Sequence, residues 1–96
     1  MLRFVFDCET NGLLHELDTV HSLVLRDIDS GDVTSCSDHD GYESIANGLY
    51  MLSKADVLVG HNVINFDCRA LKKVYKSFKL KKNCKLYDTL IVSRVL

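Results

Sequence analysis

Phe4-Val5-Phe6-Asp7-Cys8-Glu9-Thr10-Asn11-Gly12-Leu13 is an apolar run that ends in two carboxylates one residue apart and then an Asn-Gly turn. The run reads as a strand over residues 2–7. Side chains alternate along a strand, so Asp7 and Glu9 point to the same face. Two like charges on one face cost stability unless something positive sits between them. A divalent metal ion is the usual answer, and oxygen-only donors point to magnesium or manganese. Acidic pairs also occur at solvated strand ends, so the pair needs support from elsewhere in the chain.

That support comes from Val57-Leu58-Val59-Gly60-His61-Asn62-Val63-Ile64-Asn65-Phe66-Asp67. A β-branched run again reads as a buried strand, over 56–60, and stops at Gly60. Phe66-Asp67 then heads an amphipathic stretch, which predicts Asp67 in the first turn of a helix. In an open α/β sheet, functional groups gather at strand ends where strand order reverses. If the two strands are neighbours, Asp67 reaches the metal held by Asp7 and Glu9. The bland alternative is a first-turn acid facing the helix dipole.

These residues carry a resemblance. Asp7-x-Glu9-Thr10-x-x-Leu13 resembles the first motif of the DnaQ-like (DEDD) 3′–5′ exonucleases, and His61-Asn62-x-x-x-Phe66-Asp67 resembles their second. The interval from Asn62 to Asp67 is one residue longer than in the commonest form of that motif. It is similar to the proofreading domain of phage-type family A DNA polymerases. Tyr87-Asp88-Thr89-Leu90 resembles the strand-to-helix junction that follows. The family carries a third motif on a late helix, a Tyr-x-x-x-Asp or His-x-x-x-x-Asp, and nothing here matches it. The resemblance therefore implies that 1–96 is the N-terminal part of a 3′–5′ exonuclease domain, without the fourth carboxylate and inactive alone. Asp88 is no substitute, because Asp-Thr before an apolar run is an ordinary N-cap.

The resemblance also implies roles. Asp7, Glu9 and Asp67 are the catalytic metal ligands for Mg²⁺ or Mn²⁺, two ions in the complete site, hydrolysing the terminal phosphodiester. Thr10, Leu13 and Asn62 are substrate-binding. Asn62 holds the single strand, Leu13 wedges against the terminal bases, and Thr10 meets the 3′ nucleotide through its backbone. Leu13 has an equally good reading as a core leucine after a turn. The implied partner is the 3′ end of single-stranded DNA, with a second chain or a downstream polymerase domain completing the site.

Composition sets further bounds. A hydrophobic fraction of 47% is ample for a core, although burial is marginal at 96 residues. A net charge of −1 argues against a generic nucleic-acid-binding module, which is usually clearly basic. It suits a nuclease whose metal ions offset the repulsion between acids and phosphate. Cys8, Cys36, Cys68 and Cys84 stand singly, and Cys36-x-x-His39 has no second half, so zinc is not indicated. Free thiols suit a reducing compartment, giving a cytoplasmic location, or the host-cell cytoplasm for a phage product. No targeting segment is visible, and no apolar run approaches the ~20 residues of a membrane span.

The remaining elements follow from patterning. Residues 21–28 read as a second strand, 29–32 as a hairpin turn and 33–36 as a third strand. Asp40-Gly41-Tyr42-Glu43 reads as a capping box opening a helix whose core face is Tyr42, Ile45, Ala46, Leu49 and Leu52. A second helix runs from Phe66 to about Phe78, with Phe66, Ala70, Leu71, Val74 and Phe78 on one side. Its basic side continues to Lys85, which is most simply a solvated face and otherwise a guide for a DNA backbone. A last strand lies near 84–87. Antiparallel strands followed by helix-strand-helix-strand fit an α/β, ribonuclease H-like mixed sheet with flanking helices, truncated at the C-terminus. The first strand is expected centrally with both faces covered. Leu90, Ile91, Val92, Val95 and Leu96 are expected to form an uncovered apolar patch. The chain alone is then poorly stable, oligomeric, or completed by another polypeptide. The alternative function is a non-catalytic nucleic-acid-binding or interaction module that keeps the fold; an RNA-directed exonuclease is a third reading.

Overall fold

The structure, a computed structural model, describes residues 1–90, the side chain of Asn65 apart. Residues 91–96 of the expected apolar patch lie outside the described residues. A five-stranded mixed sheet has the order β3-β2-β1-β4-β5. Its strands are β1 (Arg3–Thr10), β2 (Val20–Asp27), β3 (Val33–Ser37), β4 (Val57–Gly60) and β5 (Lys85–Asp88). The helices are α1 (Ile45–Lys54) and α2 (Cys68–Val74), and a π-helical turn over Val63–Asp67 leads into α2. β1 is central, antiparallel to β2 and parallel to β4. The ribonuclease H-like α/β architecture expected from the sequence is the one observed.

The first strand runs to Thr10 rather than stopping at residue 7, because β2 continues to pair with it: Cys8 opposes Leu23 and Glu9 opposes Ser22. The β2–β3 turn is tied by the Asp27 carboxylate, which accepts from the Asp29 and Ser30 amides at 2.8 and 3.1 Å. Gly31, at φ +80°, supplies the left-handed step.

Alternation divides the sheet sharply. Phe4, Phe6, Cys8, Leu23, Leu25 and Leu58 are buried under the two helices. On the other face Val5 is 42% exposed, and Val24 and Tyr87 are also open. The expectation that β1 is covered on both faces is thus corrected: within the described residues all the helices lie on one side.

The helix boundaries also differ from expectation. α1 is capped by Ser44, whose hydroxyl accepts from the Asn47 amide at 3.1 Å, and not by a box at 40–43. Glu43 is instead held in a bridge to β3, with Ser37 N–H donating to its carbonyl at 2.9 Å. Tyr42 and Ala46 are consequently exposed, and the buried face of α1 is Ile45, Gly48 and Leu52. α2 ends at Val74, and Phe78 reaches the core from the following turn, where its amide donates to the Tyr75 carbonyl at 2.9 Å.

Two glycines mark close approaches. A Cβ at Gly48 would meet Cys36 Sγ at 2.7 Å and Leu23 Cδ2 at 2.8 Å, buried side-chain atoms that would have to shift. A Cβ at Gly60 would run into the Val63 side chain and lie 2.9 Å from the Phe6 carbonyl oxygen, which is backbone. Gly60→Ala should therefore cost about 3 kcal/mol, and Gly48→Ala only about 1 kcal/mol because the helix gains propensity. Urea denaturation of the two variants checks that order.

Candidate functional site

β4 is short, and its end creates the site. Because the Phe6 carbonyl faces Gly60, alternation turns the Cys8 amide to the same side, beyond the last residue of β4. A buried amide without a partner costs free energy. Asp67 supplies the partner: its Oδ2 accepts from Cys8 N–H at 3.0 Å across 59 residues of sequence. The π-helical turn carries Asp67 there, so it closes that turn ahead of α2 instead of standing in the first turn of a regular helix. Such turns are rare and recur at functional sites.

Asp67 is 3% exposed, and burial pushes its carboxyl above the ordinary carboxylate value. The nearby negative charge of Asp7 raises it further, while the Cys8 amide bond opposes the shift. The charge of Asp7, within the central strand, is thus felt at Asp67. Asp7 and Glu9 lie on the open face of β1 and are exposed. Among the described residues, however, no group of three His, Cys, Asp or Glu side chains is arranged to hold a metal ion. The donor chemistry suits magnesium or manganese, but the three acids as placed do not make a closed ligand set.

The other expected site residues are distributed around this point. Thr10 Oγ1 donates to the Gly12 carbonyl at 2.9 Å, so its hydroxyl closes the turn after β1. Leu13 is 63% exposed, which leaves it open to solvent rather than in the core. Asn62 adopts a left-handed conformation, φ 63°, a cost that Asn bears better than most residues. His61 Nδ1 lies 2.9 Å from Thr89 Oγ1. Burial pushes the thiol of Cys8 up, with nearby Asp67 adding to it, and raises that of Cys68 to about 11. Both shifts favour the protonated thiol.

Sequence reasoning underrated Asp88. It is 4% exposed, and its carboxylate accepts from Asn62 N–H at 2.9 Å and Ile64 N–H at 3.0 Å. It also accepts from Leu90 N–H at 3.0 Å, the N-cap role expected of it. The additional bonds clamp the left-handed residue and the first turn leading to Asp67. The pairing of Gly60 with Asp88 across β4 and β5 makes this reach possible. The sequence signal was an acid at the same strand-end position as Gly60, which becomes legible only once the register is known. The loop after β1 is likewise stapled by Asn11, whose Oδ1 accepts from the Asp18 and Thr19 amides, both at 3.1 Å.

A family model described as the RNase H superfamily matches residues 4–95. The chain belongs to that superfamily. Its fold is also similar to part of the family B DNA polymerase from the hyperthermophilic archaeon Pyrobaculum calidifontis, with a TM-score of 0.64 at 17% identity. The match covers 90% of this chain and 13% of the polymerase. No match was found among curated proteins. Among the described residues, no helix of this RNase H superfamily chain is long and apolar enough to cross a membrane.

Two predictions follow from the buried acids. Asp88→Ala leaves amides of the 62–64 turn unpaired and should destabilise the fold by about 2–4 kcal/mol in urea denaturation. For Asp67, the folded pKa is raised, so its contribution is fully favourable below the ordinary value of 3.8 and is lost as pH rises through the raised value. Asp67→Asn keeps an acceptor for the Cys8 amide without the charge. The variant should melt higher than wild type at neutral pH, and the gap should close as the pH is lowered toward 3.8; a gap that is constant with pH would contradict this account.

Proposed function

We propose that the chain, residues 1–96, is part of a metal-dependent 3′–5′ exonuclease domain of the DnaQ-like type that acts on the 3′ end of single-stranded DNA in a proofreading setting. The observation that carries the reading is the buried Asp67 carboxylate, held by the Cys8 amide of the central strand and within reach of the Asp7 charge, in an RNase H superfamily fold. A buried carboxylate held beside a second carboxylate is costly in a purely structural role. It is readily understood where a cation is to be gathered. Glu9, two residues along the same face as Asp7, is the third proposed ligand, for Mg²⁺ or Mn²⁺.

Thr10, Leu13 and Asn62 are proposed to bind the terminal nucleotide. Leu13 is exposed and free to wedge against a base, and Asn62 sits on the loop between β4 and Asp67. Since the described residues do not close a three-donor set, the chain alone is proposed to be inactive. A second chain or a downstream polymerase domain would add the missing carboxylate. The likeness to part of a polymerase structure supports that setting, as does the face of the sheet left bare beside the acids. A cytoplasmic setting belongs to the same proposal.

A second reading, a non-catalytic nucleic-acid-binding or interaction module, is favoured by the open ligand set. Mn²⁺ titration followed by amide NMR separates the two. The exonuclease reading expects paramagnetic broadening focused on residues 7–9 and 66–68, and loss of that focus in Asp7→Ala. Broadening centred on the acidic 38–43 loop, or unchanged in Asp7→Ala, would remove the exonuclease reading and leave the binding module.

A further inference from the structure

The net charge of −1 conceals a strong separation of charge. Eight of the 12 basic residues fall between Arg69 and Lys85, and that stretch contains no acid at all. Two of the eight are engaged: Lys81 pairs with Asp56, and Lys73 Nζ donates to the Leu14 carbonyl at 2.9 Å. Arg69, Lys72 and Lys79 have no ion-pair partner among the described residues. These three line a cleft of about 410 Å³ together with Cys68, Phe78 and Leu80. None of Asp7, Glu9 and Asp67 lines it.

We infer that this cleft, between α2 and the connection that leads to β5, is a separate binding site for single-stranded nucleic acid. Its rim cations take backbone phosphates, and its apolar floor takes one sugar and base. The volume lies in the range of small-ligand sites, which suits one nucleotide. Three unpaired cations without an intervening acid repel one another, and a chain of phosphates relieves that repulsion. A nucleic-acid strand also releases condensed counterions on binding, a gain that a flexible acidic peptide does not offer to the same degree. The inference goes beyond the exonuclease reading and does not depend on it, since no metal or acid takes part.

The test is fluorescence anisotropy of the full chain with a fluorescein-labelled thymidine oligonucleotide of about 12 nucleotides, in EDTA and over a range of salt. Three phosphate contacts predict a slope of log K against log salt of about −2, at roughly −0.7 per contact for single strands. The R69Q/K72Q/K79Q variant should lose about tenfold or more in affinity at low salt and flatten the slope to near zero. R3Q/R26Q/K54Q makes the same change in net charge away from the cleft and should keep the slope. Thermal melts by circular dichroism verify that both variants fold. Equal losses in the two variants would mean that total charge, not the cleft, sets binding, and would overturn the site. Absence of binding by wild type would also overturn it. Competition by polyglutamate as effective as by unlabelled oligonucleotide would assign the cleft to an acidic protein partner instead. EDTA removes metal-dependent binding, so the comparison of the two variants reports on the cleft, while the metal site of the exonuclease reading rests on its own Mn²⁺ test.

Discussion

The carboxylate of Asp88 is the constraint on which the site depends. It sits at the last residue of β5, beside Gly60 at the last residue of β4, and takes the amides of Asn62 and Ile64. Those bonds hold the chain in a left-handed step and start the π-helical turn. The turn in turn delivers Asp67 to the Cys8 amide of the central strand. Each link satisfies a backbone donor that the end of β4 would otherwise leave unpaired. One buried acid thus fixes the position of another, and the geometry of the candidate site is set by strand lengths as much as by the acids themselves.

The two faces of the sheet explain why the acids are distributed as they are. Asp7 and Glu9 are tolerated in the middle of a sheet because their face is open to water, where charge is inexpensive. Asp67 lies at the margin of the covered side, where desolvation raises its pKa. The open face also exposes Val5, Val24, Ile28 and Tyr87. Exposed apolar side chains beside the acids, Val5 on β1 and Val24 on β2, are better suited to partial coverage than to bulk solvent. Covering that surface would desolvate Asp7 and Glu9 as burial already does Asp67.

Much of the fold was legible because it rests on local pattern. The apolar run at Phe4–Phe6, the run at Val57–Val59 and the Asp29–Asp32 turn each satisfy one period or one turn chemistry, and their elements appeared where expected. What the sequence did not reveal depends on tertiary pairing. Ser44 displaced the 40–43 box as the cap of α1 because Glu43 is drawn into a bridge with β3. Phe78 looked helical by spacing, but it reaches the core after the helix has ended. Asp7, Glu9 and Asp67 could be picked out from strand ends, yet the clamp by Asp88 required the β4–β5 register, which no local pattern contains.

Charge shows the same division between local and global reading. A net charge of −1 argues against polyanion binding only if charge is evenly spread, and here it is not. With eight cations between Arg69 and Lys85, the remainder of the chain is distinctly acidic. At physiological salt the Debye length is about 8 Å, so a ligand in the cleft senses chiefly the groups nearest it, which include Asp67 and Asp88 as well as the cations, since both acids act on Cys68 of its wall. The acids at Asp67 and Asp88 and the cations from Arg69 onward are therefore adjoining fields on one small fold. On the readings proposed above, the first would gather cations and the second phosphates.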